Sequence, residues 1–357
     1  MTTGTRPLIV ANDETVIDEV IRLAAAVGCG TERAPDLVAA RTSWARAPLV
    51  ILDEEAAMQP NALPRRRGVF LVCKGAPAPP VWRSVFDAGV ERVLSLPEDE
   101  AALIAELADV VDGPDMPGGR IIGFLGGRGG AGASVLTAAV AMTVCREGGS
   151  ALLMDCDPLG GGIDIVLGAE AQCGLRWSEL QVGSGRVSMA ALREALPAQH
   201  YRGGRLSFVS YDREGGGASV EAVTAVAEAG RRAGRKVLCD LPRNLGRTTE
   251  AVVGIADLMI VVVPAEVRAS IAAQRIQRYL EHRASRVALV VRGPSPDKIP
   301  AADIAGTVGL PLLTWMPPER GLALALDRGK FELNPRGPLG VTARAVLRAL
   351  PDEEVAA

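Results

Sequence analysis

The apolar positions of this chain fall into short continuous runs separated by stretches of helical spacing. In the first third, Leu8–Ala11, Leu49–Asp53, Val69–Cys73 and Val90–Leu94 read as buried strands. Val16, Ile17, Val20, Ile21 and Leu23 recur at three- and four-residue intervals and predict a helix from Glu14 to Val27. Val81 to Ala88 is also helix-like, and Pro97-Glu98-Asp99-Glu100 opens a last helix with acids in its first turn, where the helix dipole favours them. Strands alternating with helices predict a parallel sheet covered on both faces. From Arg120 onward the alternation resumes on a larger scale. Strands are expected at 120–125, 150–155, 205–210, 235–240, 257–263, 286–292 and 311–315. Helices are expected at 134–147, 217–233, 247–255, 266–281, 300–308, 318–327 and 339–349. Between the two regions lies Asp112-Gly113-Pro114-Asp115-Met116-Pro117-Gly118-Gly119, whose prolines and glycines suit neither helix nor sheet. The expected organisation is therefore an α/β domain over 6–111, a linker over 112–119 and a second α/β domain over 120–351.

Composition narrows the class. The length of 357 residues fits two ordinary domains, and 48% hydrophobic content supplies both cores. Aromatics are only 3%, so those cores must be built from Leu, Val and Ala. A formal charge of −3 gives no overall field to attract nucleic acid, and no specific nucleic-acid partner is expected. Six cysteines without a C-x-x-C pair read as buried free thiols in a reducing compartment. The stretch Met1–Pro7 lacks the apolar segment of a signal peptide, and no apolar run is long enough to span a bilayer. The expectation is a soluble cytoplasmic protein.

The candidate chemistry starts at Ile121-Ile122-Gly123-Phe124-Leu125-Gly126-Gly127-Arg128-Gly129-Gly130-Ala131-Gly132-Ala133-Ser134. A strand, a glycine-rich loop and a helix start aim backbone N–H groups at phosphate. The spacing from Gly127 to Gly132-Ala133-Ser134 is that of a P-loop, with alanine in the lysine position. The same glycines also read G-x-G-x-x-G, the dinucleotide fingerprint. Two further strand ends bear on the choice. Asp155 closes one predicted strand and Asp157 follows two residues on, with Asp164 beyond. Alternation along an extended chain puts Asp155 and Asp157 on one side, and two acids suit a metal–phosphate site better than a single ribose. Lys236-Val237-Leu238-Cys239-Asp240 is an apolar strand ending in a carboxylate, the form of a Walker B site that holds Mg²⁺ through water. Ser134 stands where a P-loop hydroxyl meets Mg²⁺. The nucleoside-triphosphate reading is therefore preferred; a dinucleotide-dependent enzyme remains the alternative.

Other residues carry less. His200 and His282 are isolated, without metal-ligand spacing. Arg65-Arg66-Arg67 reads as a solvated loop. Cys156, between two aspartates, is expected to have a raised thiol pKa and no nucleophilic role. The last helix has some amphipathic character, with Leu339, Val341, Val346, Leu347 and Leu350 beside Arg344 and Arg348. Packing on its own domain is its expected use.

Taken together, residues 120–350 resemble the ParA/MinD family of deviant-Walker P-loop ATPases. The family loop K-G-G-x-G-K-[ST] corresponds to Arg128-Gly129-Gly130-Ala131-Gly132-Ala133-Ser134, its D-x-D to Asp155 and Asp157, its later acid to Asp164, and its Walker B acid to Asp240. Ala256 to Val267 resembles the strand before the nucleotide-side Pro-x-x segment. The first domain resembles a response-regulator receiver. Asn12-Asp13 and Asp53 stand at its acidic pocket and phosphoacceptor positions, while Lys74 and Leu96 stand where Ser/Thr and Lys would be. With a degenerate receiver in front, the whole chain is similar to the CpaE/TadZ branch, which positions pilus-assembly machinery, and to the actinobacterial septum-site-determining proteins (Ssd). The resemblance implies ATP and Mg²⁺ as cofactors and a nucleotide-dependent homodimer. It implies division or pilus/secretion proteins as partners, and it leaves peripheral membrane association open. It assigns Asp157 and Arg128 to catalysis and Gly127, Gly129, Gly130, Gly132, Ala133, Ser134 and Arg292 to the nucleotide, Arg292 near the base. Ser134, Asp155 and Asp240 would hold Mg²⁺. Arg128 replaces the signature lysine that reaches the partner's phosphates, and a guanidinium can still grip phosphate. Loss of the P-loop lysine at Ala133 removes charge-assisted hydrogen bonds of about 1.5–3 kcal/mol each. Binding with slow or absent hydrolysis is the expectation. A nucleotide-independent docking scaffold is the contrasting class.

Overall fold

The computed structural model describes residues 6–59, 63–75, 89–112, 116–180, 187–201, 203–212, 217–295 and 298–350. The expected helix at 81–88 and part of the linker (113–115) lie outside the described residues. The chain divides into two compact units, one holding the described residues of Met1–Pro114 and Val182–Leu192, the other those of Asp115–Gln181 and Arg193–Ala357.

The first unit is built on five parallel strands, β1 (Leu8–Val10), β2 (Glu32–Ala34), β3 (Val50–Leu52), β4 (Val69–Lys74) and β5 (Arg92–Leu96), in the order β2-β1-β3-β4-β5. Helix α1 (Glu14–Ala26) and the short α2 (Arg41–Trp44) and α3 (Glu54–Met58) lie between strands, and α4 (Glu100–Asp112) follows β5. One face of the sheet packs Ile17, Val20, Leu23, Leu103 and Leu107; the other packs Trp44, Leu52 and Leu71. β5 falls two residues later than its expected span, Val90–Leu94. The register that counts is the alternation over Arg92–Leu96, which buries Leu94 and Leu96 and leaves Arg92 outside to pair with Glu106 at 2.6 Å. Asp112 accepts hydrogen bonds from the N–H groups of Met189 and Ala190 and from the Ser188 hydroxyl (2.8–3.1 Å), tying this later stretch of chain to the first unit.

The second unit holds an eight-stranded sheet. Its strands are β6 (Arg120–Gly126), β7 (Ser150–Asp155), β8 (Ala198–Tyr201), β9 (Gly204–Val209), β10 (Lys236–Asp240), β11 (Leu258–Pro264), β12 (Val287–Arg292) and β13 (Leu312–Met316). The order is β13-β12-β11-β6-β10-β7-β9-β8, parallel throughout except for β8 against β9. β8 has no apolar signature (Ala-Gln-His-Tyr) because it is a half-exposed edge strand. β10 stands between β6 and β7. A dinucleotide fold places its first two strands side by side, so this topology excludes that alternative. Helix α5 (Ala133–Arg146) is buried without interruption from Leu136 to Cys145. That explains its all-round apolar sequence and lack of a polar stripe. Thr137 and Thr143 satisfy their hydroxyls within the helix, on the Ala133 and Ala139 carbonyls at 2.9 and 2.8 Å. The other helices of this unit are α6 (Ile163–Val166), α8 (Val220–Arg232), α9 (Arg247–Ile255), α10 (Val267–Leu280), α11 (Ala301–Val308), α12 (Leu322–Asp327) and α13 (Pro338–Arg348), while α7 (Met189–Ala195) begins in the stretch that belongs to the first unit. α13 buries Leu339, Ala343 and Val346 in the same core as α5. Among the described residues no helix is long and apolar enough to cross a membrane.

Candidate nucleotide site

The carboxyl ends of β6, β7, β10 and β12 bring the sequence-predicted residues to one edge of the large sheet, where open α/β sheets bind ligands. β6 feeds the glycine loop. The Gly127 N–H donates to the Val262 carbonyl at 2.8 Å, anchoring the loop on β11. A Cβ at Gly127 would stand 2.8 Å from Val263 Cγ2, so the close approach needs glycine. At the far end Gly132 has φ +93° and caps α5. The N–H groups of Ala133, Ser134 and Val135 open that helix, and a first turn has no intrahelical acceptors for them. They face a cavity of about 510 Å³ lined by the loop from Arg128 to Val135, by Asp157, Asp240, Arg243 and Arg292, and by Met316, Leu322, Leu326 and Leu339 on an apolar side. The loop thus supplies donors, dipole and shape for phosphate, and the leucines a less polar wall.

The three acids are not equivalent. Asp240, 5% exposed, lines the cavity and accepts a hydrogen bond from the Ser134 hydroxyl. Burial pushes its carboxyl up to about 7; the Ser134 bond opposes that, and the charges of Asp155 and Asp157 add to it. Asp157 is half-buried, also lines the cavity, and accepts the Leu159 N–H at 3.1 Å. Asp155 is buried and off the cavity wall. Its two oxygens accept the N–H groups of Asp157 (3.1 Å) and Ile163 (3.0 Å), holding the turn that presents Asp157. Burial raises Asp155 to about 6, against those two bonds. Period-two alternation places Asp155 and Asp157 together only while the chain stays extended, and β7 ends at Asp155. Asp164 is likewise committed, to the Ile165 N–H at 3.0 Å and to Arg176 at 3.9 Å. A hydroxyl and a buried carboxylate converge here with two further carboxylates nearby, an oxygen-donor set that suits Mg²⁺. Among the described residues no group of three or more His, Cys, Asp or Glu could hold a metal ion by itself.

The cations were only partly legible. Arg128 grips Glu266 of its own chain with two bonds, Nε at 3.1 Å and Nη2 at 2.7 Å, and donates from Nη1 to the Gly129 carbonyl at 2.8 Å. Arg292 ends β12 and turns onto the loop, its Nη1 3.2 Å from the Gly130 carbonyl. Arg243, exposed on the cavity rim, carried no sequence signal except its place three residues after Asp240. No lysine lines the cavity among the described residues. Cys156 is fully buried; its hydrogen bond with Cys239, then burial, push the thiol well above its ordinary value, as its position between aspartates led one to expect.

In the first unit Asp53 directly follows β3 and is buried. One oxygen accepts the N–H groups of Asn12 (2.6 Å) and Asp13 (2.9 Å), the other the Ala56 N–H that starts α3 (2.7 Å). Lys74 stands exposed at the end of β4.

Comparison with known proteins agrees with this architecture. A family model described as the Rv3660c-like, CheY-like N-terminal domain matches residues 10–118. The uncharacterised protein Rv3660c of Mycobacterium tuberculosis is 40% identical over 347 residues, 95% of this chain and 96% of that one. The chain belongs to the Rv3660c-like family. Beyond residue 118 this Rv3660c-like chain has the fold of known P-loop proteins. A ParA-family ATPase of Chlorobium tepidum superposes with a TM-score of 0.55 at 17% identity, over 64% of this chain and 98% of the other. The septum site-determining protein MinD of Pyrococcus horikoshii, complexed with Mg-ADP, superposes with a TM-score of 0.53 at 17% identity, over 64% and 93%. The Rv3660c-like chain therefore joins a CheY-like domain to a parallel-sheet P-loop domain of the ParA/MinD type.

Proposed function

We propose that the protein binds ATP–Mg²⁺ and works as a spatial regulator of the MinD/ParA kind. Through nucleotide-dependent dimerisation it would position or regulate a division septum or a Tad-type pilus or secretion apparatus. The observation that carries this reading is the single cavity in which the glycine loop, Ser134, Asp157 and Asp240 meet. Backbone N–H groups of Gly129, Gly130, Gly132, Ala133 and Ser134 take the phosphates. Ser134 and Asp240 hold the cation, with Asp155 adding charge behind them and fixing the turn of Asp157. Asp157 orients the attacking water. When bound there, Mg²⁺ would supply neutralisation of phosphate charge. Arg128, released from Glu266, is the group that would reach a partner's phosphates. The CpaE/TadZ branch and the actinobacterial septum-site proteins remain the sequence resemblances that suggest which machinery is served.

Ala133 and the Arg128–Glu266 pair favour a second reading, a docking scaffold indifferent to nucleotide. Titration calorimetry with ATP–Mg²⁺ and sedimentation with and without it separate the two. Micromolar binding, a shift to dimer and turnover that stays slow until Ala133→Lys is introduced support the switch. An unchanged sedimentation coefficient with no binding at millimolar ATP would refute it in favour of the scaffold.

A further inference from the structure

The P-loop lacks its cation at Ala133, yet a guanidinium lies on the loop beside that position. Arg292 comes from the end of β12, two strands away from β6 in the sheet. Its Nη1 donates to the Gly130 carbonyl, and a Cβ built on Gly132 would stand 3.0 Å from Nη1 and 3.5 Å from Cδ. The side chain therefore lies along the loop backbone, next to the residue preceding Ala133, and not out toward a base. Its Nε is buried and has no hydrogen-bond partner. Arg292 also lines the cavity that contains Ser134 and Asp240. An unsatisfied buried charged donor is costly, and an anion oxygen is the natural acceptor.

We propose that Arg292 is the phosphate-binding cation of this loop, supplying from β12 the charge that Ala133 leaves out of α5. This rests on the reading of the cavity as a nucleotide site. It changes the role the sequence resemblance implied for Arg292, from a base contact to a phosphate contact. The surroundings agree. Burial lowers the Arg292 pKa, the nearby Arg128 guanidinium lowers it further, and the Glu266 carboxylate offsets part of this. Once Arg128 leaves Glu266, the two guanidiniums beside the glycine loop repel unless an anion lies between them. Gly132 fits the same scheme, since any side chain there would displace the guanidinium.

The test uses the full chain and two ligands, ATP–Mg²⁺ and inorganic tripolyphosphate, with affinities from calorimetry or competition. Arg292→Gln keeps an N–H donor for the Gly130 carbonyl and loses the charge; Arg292→Lys keeps the charge, and circular dichroism confirms that each variant is folded. Arg292→Gln is expected to weaken both ligands alike, by roughly tenfold to a hundredfold, as the loss of one or two charge-assisted hydrogen bonds implies. Ala133→Lys in the Arg292→Gln background is expected to restore most of that loss, and Arg243→Ala to cost less because Arg243 is exposed. ATP affinity within threefold of wild type in Arg292→Gln overturns the proposal while leaving the nucleotide site standing. So does a loss confined to ATP with tripolyphosphate unchanged, which would mark a base contact. Wild-type protein that binds neither ligand overturns the nucleotide reading and this assignment together.

Discussion

Asp53 occupies the phosphoacceptor position of a receiver, but its surroundings make it a structural anchor. Replacing it with alanine leaves three backbone N–H groups, those of Asn12, Asp13 and Ala56, without their acceptor. The Ala56 bond is the N-cap of α3, and losing a cap costs about 1 kcal/mol. The other two are hydrogen bonds to a charged group, at about 1.5–3 kcal/mol each. Shared partners make the terms less than additive, so a loss on the order of 4 kcal/mol is expected for the first unit. Asp53→Asn keeps one carbonyl oxygen and should lose roughly half of that. Hydrogen exchange followed by mass spectrometry reads the effect locally, through faster exchange of peptides covering residues 11–16 and 54–58. Urea unfolding of the first unit supplies the free energy. The same geometry predicts that acetyl phosphate does not label Asp53, because both oxygens are already engaged. An Asp53→Ala protein within about 1 kcal/mol of wild type, or stoichiometric phosphorylation at Asp53, would sink this account.

Two other substitutions probe the P-loop unit. Gly127→Ala places a methyl 2.8 Å from Val263 and is expected to cost roughly 1–3 kcal/mol by overpacking, whereas Gly129→Ala, with nothing within 4 Å, should stay within about 0.5 kcal/mol; equal urea midpoints for the two would contradict the anchoring of the loop on β11. Glu266→Gln frees Arg128 from an ion pair more than a third exposed, which solvent screens. Sedimentation in ATP–Mg²⁺ is expected to show a dimerisation constant raised by up to roughly fivefold, and a weakened dimer would mean that Glu266 supports the interface directly.

Much of this protein was determined locally. The buried-strand runs of β6, β7, β10, β11 and β12 are apolar because both faces of a parallel sheet are covered, and that necessity is written in the chain itself. The glycine loop and the aspartates that end β7 and β10 were legible for a related reason: backbone geometry and carboxylate chemistry restrict which residues can stand there. Elements whose signal is tertiary were not legible. β8 is polar because it is an edge, and β5 is set by which register buries Leu94 and Leu96. Sequence also treated Asp155 and Asp157 as a pair. The turn after β7 separated them, sending one carboxylate to backbone N–H groups and the other to the cavity. The arginines depended most on the fold. Nothing within ten residues of Arg128 announces Glu266, and nothing near Arg292 announces Gly130; they lie 138 and 162 residues apart in sequence. Long flexible cations acquire their partners only when sheet order brings distant strand ends to one edge. Whether the loop keeps a cation despite Ala133 was therefore a question for the tertiary structure.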